Sequence, residues 1–434
     1  MSGSKGFDKL IKDIEREMRY WGMPGAAYAA VKDGDIACIG GIGLRDREMK
    51  KPAGADTLFC IASCSKAFTG ALASILISEG KLDPDRPVRE YIKEFGLADP
   101  EADRYATLRD MLLHRTGLAP HDAMWPRPEL SRGEFVKKLR YLSPAAGFRE
   151  RTIYNNDIYG AVGYVLEAVS GLKYEELLDK YIFGPLGMKR STCLAERLVK
   201  DSDHAEPYGR FFGESLKLEA WDCGVIASAA NISSTASDMA KWLNMLCSGG
   251  RTPDRGVLIP EPYFSEMIKG QQPYANPAGL SEECFPTDSY AFGWNVGSYK
   301  GTPMCVHTGK IEGYSSIQAF LPEKHIGAAF LMNFHNPAQP VYYPFVYTAF
   351  DLLLGEESHD WISEFGGRRE EPPLEAEYDD LFVDNFSGRE VTPGLKAQTG
   401  VYKNEAYGII KILENKGRLY FKLRAGKEIE LKEK

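Results

Sequence analysis

The chain predicts an α+β fold: one antiparallel sheet flanked by helices, a helical subdomain inserted at about residues 63–250, and a small C-terminal β module. Three observations lead there. Short apolar runs joined by tight turns occur near residues 26–42 and again near 315–332, and strands joined that tightly pair antiparallel. Between them, apolar positions recur at helical spacing. A helical segment also stands at each end of the first 365 or so residues, placed to cover the sheet.

In order, Phe7, Leu10, Ile11, Ile14 and Met18 form the apolar stripe of a helix from Phe7 to Trp21. Ala26 to Val31 and Ile36 to Ile42 flank Lys32-Asp33-Gly34-Asp35, and Asp-Gly between apolar runs signals a hairpin. Phe59 to Phe68 reads as a strand end running into a helix that is apolar nearly all round and stops near Gly80. Further helices are expected over Asp103 to His114, Arg132 to Leu142, Tyr159 to Val169 and Leu172 to Tyr181. Ser234 or Thr235 caps another, which carries Met239, Trp242, Leu243 and Leu246. Strands return at Tyr290 to Val296, at Met304 to Val306 leading into His307, and at Ser315 to Leu321 and Ile326 to Met332. Val341 to Leu354 reads as a helix. These residues make a catalytic domain, 1–365, with its site in the cleft between sheet and helices. Residues 366–395, rich in charge and Pro, read as a linker. Residues 396–434 carry strands too short to bury a core alone, so they pack on the main domain or on a partner subunit, as a homo-oligomer would allow.

Composition excludes several classes. The 434 residues carry a net charge of −8 and no long basic cluster, which argues against nucleic acid. No apolar stretch is long enough to span a bilayer or to act as a secretory signal, so a cytoplasmic protein without a membrane partner is expected. Eight cysteines are scattered with no C-x-x-C pair and read as buried free thiols. Neither G-x-S-x-G nor H-E-x-x-H occurs, and the histidines at 114, 121, 204, 325, 335 and 359 read as structural.

The chemistry concentrates in three stretches. Ser63 and Lys66 stand one helical turn apart, so the lysine can serve as base if burial keeps it neutral. Ser65 lies on another face and reads as structural, as does Cys64. Tyr154 and Asn156 precede a helix, on a loop whose side chains can enter a cleft. His307-Thr308-Gly309 lies on a strand, where Gly309 lets backbone approach a substrate.

Ser63-x-x-Lys66, Tyr154-x-Asn156 and His307-Thr308-Gly309 stand in the order, and at intervals similar to those, of the three motifs of the serine β-lactamase and penicillin-binding-protein superfamily. Tyr-x-Asn resembles the class C β-lactamases. Leu112 to Leu118 and Ile232 to Met239 also look like recurring segments of that group, and the resemblance covers roughly residues 7 to 355. It implies a β-lactamase/transpeptidase-like fold and an acyl-enzyme on Ser63, with Lys66 and Tyr154 sharing the proton traffic. Asn156, His307, Thr308 and Gly309 would bind substrate, and backbone N–H groups of Ser63 and of the strand after Gly309 would form the oxyanion hole. No metal and no organic cofactor is implied. The third motif departs from the usual Lys-Thr-Gly. His-x-Gly resembles D-aminopeptidases and esterases, and a neutral imidazole lacks the fixed cation that attracts a penicillin carboxylate. The expected activity is that of a D-stereospecific aminopeptidase, amidase or carboxylesterase on a small-molecule, short peptide or ester substrate. A β-lactamase, an acyltransferase and a non-catalytic acyl-binding sensor are the alternatives.

Overall fold

The computed structural model describes residues 2–125, 129–211, 214–220, 222–252, 254, 256–274, 287–335, 341–366, 399–415, 418–423 and 429–431. Its centre is a nine-stranded sheet in which every neighbouring pair is antiparallel. The hairpin Gly25–Lys32 and Asp35–Asp46 forms with Asp33 and Gly34 both at positive φ (52° and 90°), the pattern of a two-residue turn that follows the sheet's twist. The strand Gly25–Lys32 pairs on its other side with Ile326–Met332, which pairs with Tyr314–Leu321, which pairs with Thr302–Ile311. The two ends of the catalytic region therefore meet in the middle of one sheet.

Alternation along these strands builds two cores. Ala26, Tyr28 and Ala30 join Phe7, Leu10, Ile14 and Phe345, so the helices Ser2–Tyr20 and Tyr342–Leu354 cover one face. Ala27, Ala29 and Val31 join Phe68, Trp242 and Leu243 on the other. Covered on both sides, Gly25–Lys32 is apolar almost throughout rather than alternating.

The intervening helices pack into this second core against the sheet. The helix Ala236–Cys247 is capped by Thr235, whose Oγ1 accepts from the Asp238 N–H, and it lies directly on the sheet. Other boundaries also shift. The segment read as one helix from Asp103 to His114 is two, Pro100–Tyr105 and Leu108–Leu112, because Thr107 and Asp110 form a capping box that starts the second. The segment Tyr290 to Val296 is a turn between the strands Thr287–Tyr290 and Asn295–Tyr299. Gly293 adopts φ +81° there, and a Cβ on it would lie 2.2 Å from the Lys66 carbonyl oxygen. That turn presses on the helix Ser65–Ser78.

The stretch 367–395 of the expected linker lies outside the described residues. Beyond it, Gly400–Asn404, Gly408–Asn415, Arg418–Leu423 and Ile429–Leu431 form a four-stranded antiparallel sheet in sequence order. Its first turn docks on the catalytic domain: Ala406 is buried in the second core, and Lys138 Nζ donates to the Glu405 carbonyl at 2.8 Å.

Phe68 and Trp242 stack at 4.0 Å, both without exposed surface, and tie the helix Ser65–Ser78 to the sheet through Ala236–Cys247. Trp242→Ala is expected to cost about 3–5 kcal/mol. Urea unfolding of the variant checks this, and a loss under 1 kcal/mol would mean that the stack is not part of the core.

Candidate active site

The stretch that carries Ser63 is a strand end, Phe59–Cys60, then a 3₁₀ turn, Ala62–Cys64, then the helix Ser65–Ser78. Ser63 thus sits on the tight turn before the α-helix and not within it. Ala62 takes φ 44°, a strained position for a residue with a Cβ, and it lies next to the serine.

Lys66 is wholly buried, and its Nζ has three partners: Ser63 Oγ at 3.1 Å, Asn156 Oδ1 at 2.8 Å and the Ala229 carbonyl oxygen at 3.1 Å. The rings of Tyr154 and Tyr159 lie 4.7 and 5.4 Å from it. Burial drives its pKa from 10.5 down to about 7, against a smaller upward pull from Asp122. The partners then decide where its lone pair points. Asn156 Oδ1 and the Ala229 carbonyl only accept, so a neutral amine gives them its two protons and turns its lone pair to the Ser63 hydroxyl.

Tyr154 stands beside the same serine. Burial raises its hydroxyl well above the usual range, and a hydrogen bond with Ser63 only partly offsets this. Of the two groups flanking Ser63, Lys66 is the one able to be a base near neutral pH. Ser63, Tyr154 and Asn156 keep part of their surface open, so the pair is reachable.

His307 is brought to the site but not as a titrating group. Nδ1 lies 2.7 Å from the Thr308 carbonyl oxygen, which can only accept, so the proton is on Nδ1. Nε2 then accepts from the Tyr290 hydroxyl at 3.0 Å. The ring is 3% exposed, and burial, with the charge of Lys66, lowers its pKa to about 3. The imidazole is therefore held neutral throughout the ordinary range. Thr308 lies on the opposite side of the pleat, where it hydrogen-bonds Tyr343. Gly309 faces the serine turn: a Cβ on it would lie 2.2 Å from the Ile61 carbonyl oxygen and 2.4 Å from Ser316 Oγ. The strand Thr302–Ile311 can approach the turn that carries Ser63 only because this residue has no side chain.

Several supporting residues escaped the sequence reading. Ser316 Oγ donates to the Ile61 carbonyl at 2.7 Å, and Gln318 Nε2 donates to the Cys64 carbonyl at 2.8 Å while its Oε1 accepts from Trp242 Nε1 at 2.9 Å. They hold the turn around Ser63 from both sides. The available signal was Ser316 and Gln318, two apart and so on one face of the strand Tyr314–Leu321. His114, at φ 57°, accepts the Asn155 N–H at Nδ1 and packs 4.5 Å from the Tyr154 ring. Asn155 caps the helix Asn156–Ser170 through the Ile158 N–H, which fixes where Asn156 begins. Ser65 is structural, as expected: its Oγ accepts from the Ile232 N–H. The thiol of Cys64 donates to the His307 carbonyl, and seven cysteines are free among the described residues. Among those residues no group of three or more His, Cys, Asp or Glu could hold a metal ion, and no helix is long and apolar enough to cross a membrane.

Comparison with known proteins gives the family and the fold. Residues 10–349 match the family described as Beta-lactamase. The chain is 27% identical to an unguisins hydrolase of Aspergillus violaceofuscus, over 93% of this chain and 76% of that one. It is 24% identical to penicillin-binding protein 4 of Amycolatopsis lactamdurans, over 72% and 81%. The octameric penicillin-binding-protein homologue from Pyrococcus abyssi superposes with a TM-score of 0.70 at 24% identity, covering 96% of this chain and 88% of that one. This last likeness establishes the fold.

Gln318→Leu tests the support of the serine turn. It removes the bond to the Cys64 carbonyl and takes from the buried Trp242 N–H the acceptor it has here, and leaving a buried donor unpaired costs about 1–3 kcal/mol. Urea unfolding is expected to show a total loss of about 2–4 kcal/mol, and an unchanged midpoint would remove Gln318 from this role.

Proposed function

Because the chain belongs to the Beta-lactamase family, matched over residues 10–349, we propose that it is a serine hydrolase that cleaves amide or ester bonds through an acyl-enzyme on Ser63. One observation carries the proposal. Lys66, buried and shifted to about 7, hydrogen-bonds Ser63 while its two other partners can only accept. Neutral Lys66 takes the Ser63 proton as Oγ attacks the carbonyl carbon. Backbone N–H groups of Ser63 and of the strand beyond Gly309 hold the oxyanion. Tyr154 relays the proton to the departing amine or alcohol, a role suited to a hydroxyl that stays protonated. Water then attacks the ester on Ser63, with Lys66 again taking the proton.

The class of bond follows from the third motif. His307 is neutral and already bonded on both ring nitrogens, so it offers an anionic substrate no charge. This favours neutral or cationic amides and esters, the chemistry of an aminopeptidase, amidase or carboxylesterase, over β-lactams bearing a carboxylate. The hydrolase name of one relative points the same way, and the penicillin-binding name of another keeps the β-lactam comparison worth measuring. By the same argument the C-terminal module makes the chain a candidate for oligomerisation, as its structural neighbour is octameric.

Labelling with a neutral fluorophosphonate, mapped by mass spectrometry, tests the nucleophile: the adduct is expected on Ser63 and absent from Ser63→Ala. Persistent labelling in that variant, or a label on Ser65, defeats the assignment. Tyr154→Phe is expected to lower kcat on an anilide by about 10²–10⁴-fold, the contribution typical of acid–base catalysis, and a change below tenfold would exclude that role. The labelling rate of the wild type should climb with pH and level off above about 7, because protonated Lys66 cannot accept the serine proton. No second limb from His307 is expected between pH 4 and 8. A rate that keeps rising past pH 9 contradicts the role of Lys66.

A further inference from the structure

We propose that Asp122, on the wall of the site beyond Asn156 and next to the docked turn of the C-terminal module, recognises an ammonium group on the substrate. This rests on the reading of Ser63 as the nucleophile.

Asp122 is linked to the reacting pair by one residue. Lys66 Nζ donates to Asn156 Oδ1 at 2.8 Å, and Asn156 Nδ2 donates to Asp122 Oδ1 at 3.3 Å. Trp125 Nε1 donates to the same oxygen at 3.1 Å. Both donors are neutral, and among the described residues no lysine or arginine forms an ion pair with Asp122. The residue is half-buried, with part of its surface open beside a site that is itself open at Ser63 and Asn156. A carboxylate held by neutral donors at the rim of a cleft has its charge available for a cation from solution.

The surrounding groups leave that charge uncompensated. His121 Nε2 faces the Ser143 carbonyl at 3.1 Å, so it carries the proton, and Nδ1 accepts from the Tyr407 hydroxyl at 2.6 Å. Burial lowers the His121 pKa, so the ring is neutral. Asp157 is fully buried and accepts the His121 N–H, and its other carboxyl oxygen has no partner. Burial, then the charge of Asp122, pushes Asp157 well above the carboxylate range, so Asp157 stays protonated and adds no charge beside Asp122. Tyr407, also raised by burial, is neutral. Among the described residues, Lys66 is the cation whose charge couples to Asp122, and it is itself near its midpoint at neutral pH.

Tyr407 makes the C-terminal module part of this wall. Its turn is ordered by Asn404 Oδ1, which accepts the N–H groups of Ala406 and Tyr407, both at 2.9 Å. The Tyr407 ring lies against His121 at 6.1 Å, near enough to Asp122 and Asp157 for both to act on its hydroxyl. Through its bond to His121, Tyr407 positions the His121–Asp122 segment.

Substrate pairs that differ only in the amine test the inference. The probes are p-nitroanilides of alanine, 4-aminobutyrate and 6-aminohexanoate, each beside its N-acetyl form, so that the spacing from carbonyl to amine varies. For at least one spacing the wild type is expected to prefer the free amine by tenfold or more in kcat/KM. Asp122→Asn should cut that preference at least tenfold, chiefly through KM, and Asp122→Glu, which keeps the charge, should restore part of it. Absence of preference at every spacing in the wild type overturns the inference without recourse to any variant, as does a preference that survives Asp122→Asn. Fluorophosphonate labelling in parallel separates the two readings. A labelled Ser63 without amine preference overturns the role of Asp122 alone, and an unlabelled Ser63 overturns both.

Discussion

Everything in this structure turns on keeping one lysine out of water. Lys66 has no exposed surface, and its pKa lies near 7 instead of 10.5. In the unfolded chain the same amine is charged at neutral pH. Holding it half neutral in the fold therefore costs on the order of 4–5 kcal/mol, a large share of the net stability of a typical domain. The sign follows from the lowered value. Between the folded and unfolded pKa values the unfolded chain binds the extra proton, so this group penalises the fold more as pH falls from 10.5 towards 7. A cost of that size is tolerated where the neutral amine has a use, and the use proposed for it is to take the proton of Ser63, 3.1 Å away.

The rest of the fold supplies what offsets the cost. Two glycines let backbone press against the serine–lysine segment from either side, Gly309 against Ile61 and Gly293 against Lys66. Gln318 and Ser316 satisfy the carbonyls of the turn, and Trp242 locks Gln318. These contacts come from strands and a helix more than 160 residues away in sequence, which is why the sheet must bring both ends of the region together. The turn carrying Ser63 is consequently rigid, and the strain at Ala62 is held by its surroundings.

The sequence disclosed the part of this that depends on local pattern. The hairpin at Asp33-Gly34, a cap at Ser234 or Thr235, and the sheet of paired central strands could all be read from turn chemistry and periodicity. The order of Ser63, Lys66, Tyr154 and His307 was legible too, and the structure does bring these four side chains together. Tertiary relations were not. Nothing local says that Thr308 faces away from the serine, that Tyr290 holds His307 neutral, or that the 290–296 stretch must turn to fit against Lys66. Asp122 was passed over because a single acid in a loop has no pattern, and its meaning comes from Asn156, 34 residues on. Tyr407 is more remote still, reaching His121 across 286 residues.

The central claim is that Lys66 is neutral enough to act as the base, and its own titration tests this most directly. With ¹⁵N-labelled lysine side chains, the Nζ resonance that disappears in Lys66→Met identifies the group, and its chemical shift can be followed from pH 5 to 11. A midpoint within about a unit of 7 is the expected result. A midpoint near 10.5 would mean that Lys66 is an ordinary charged lysine, and the account of Ser63 activation would fall with it.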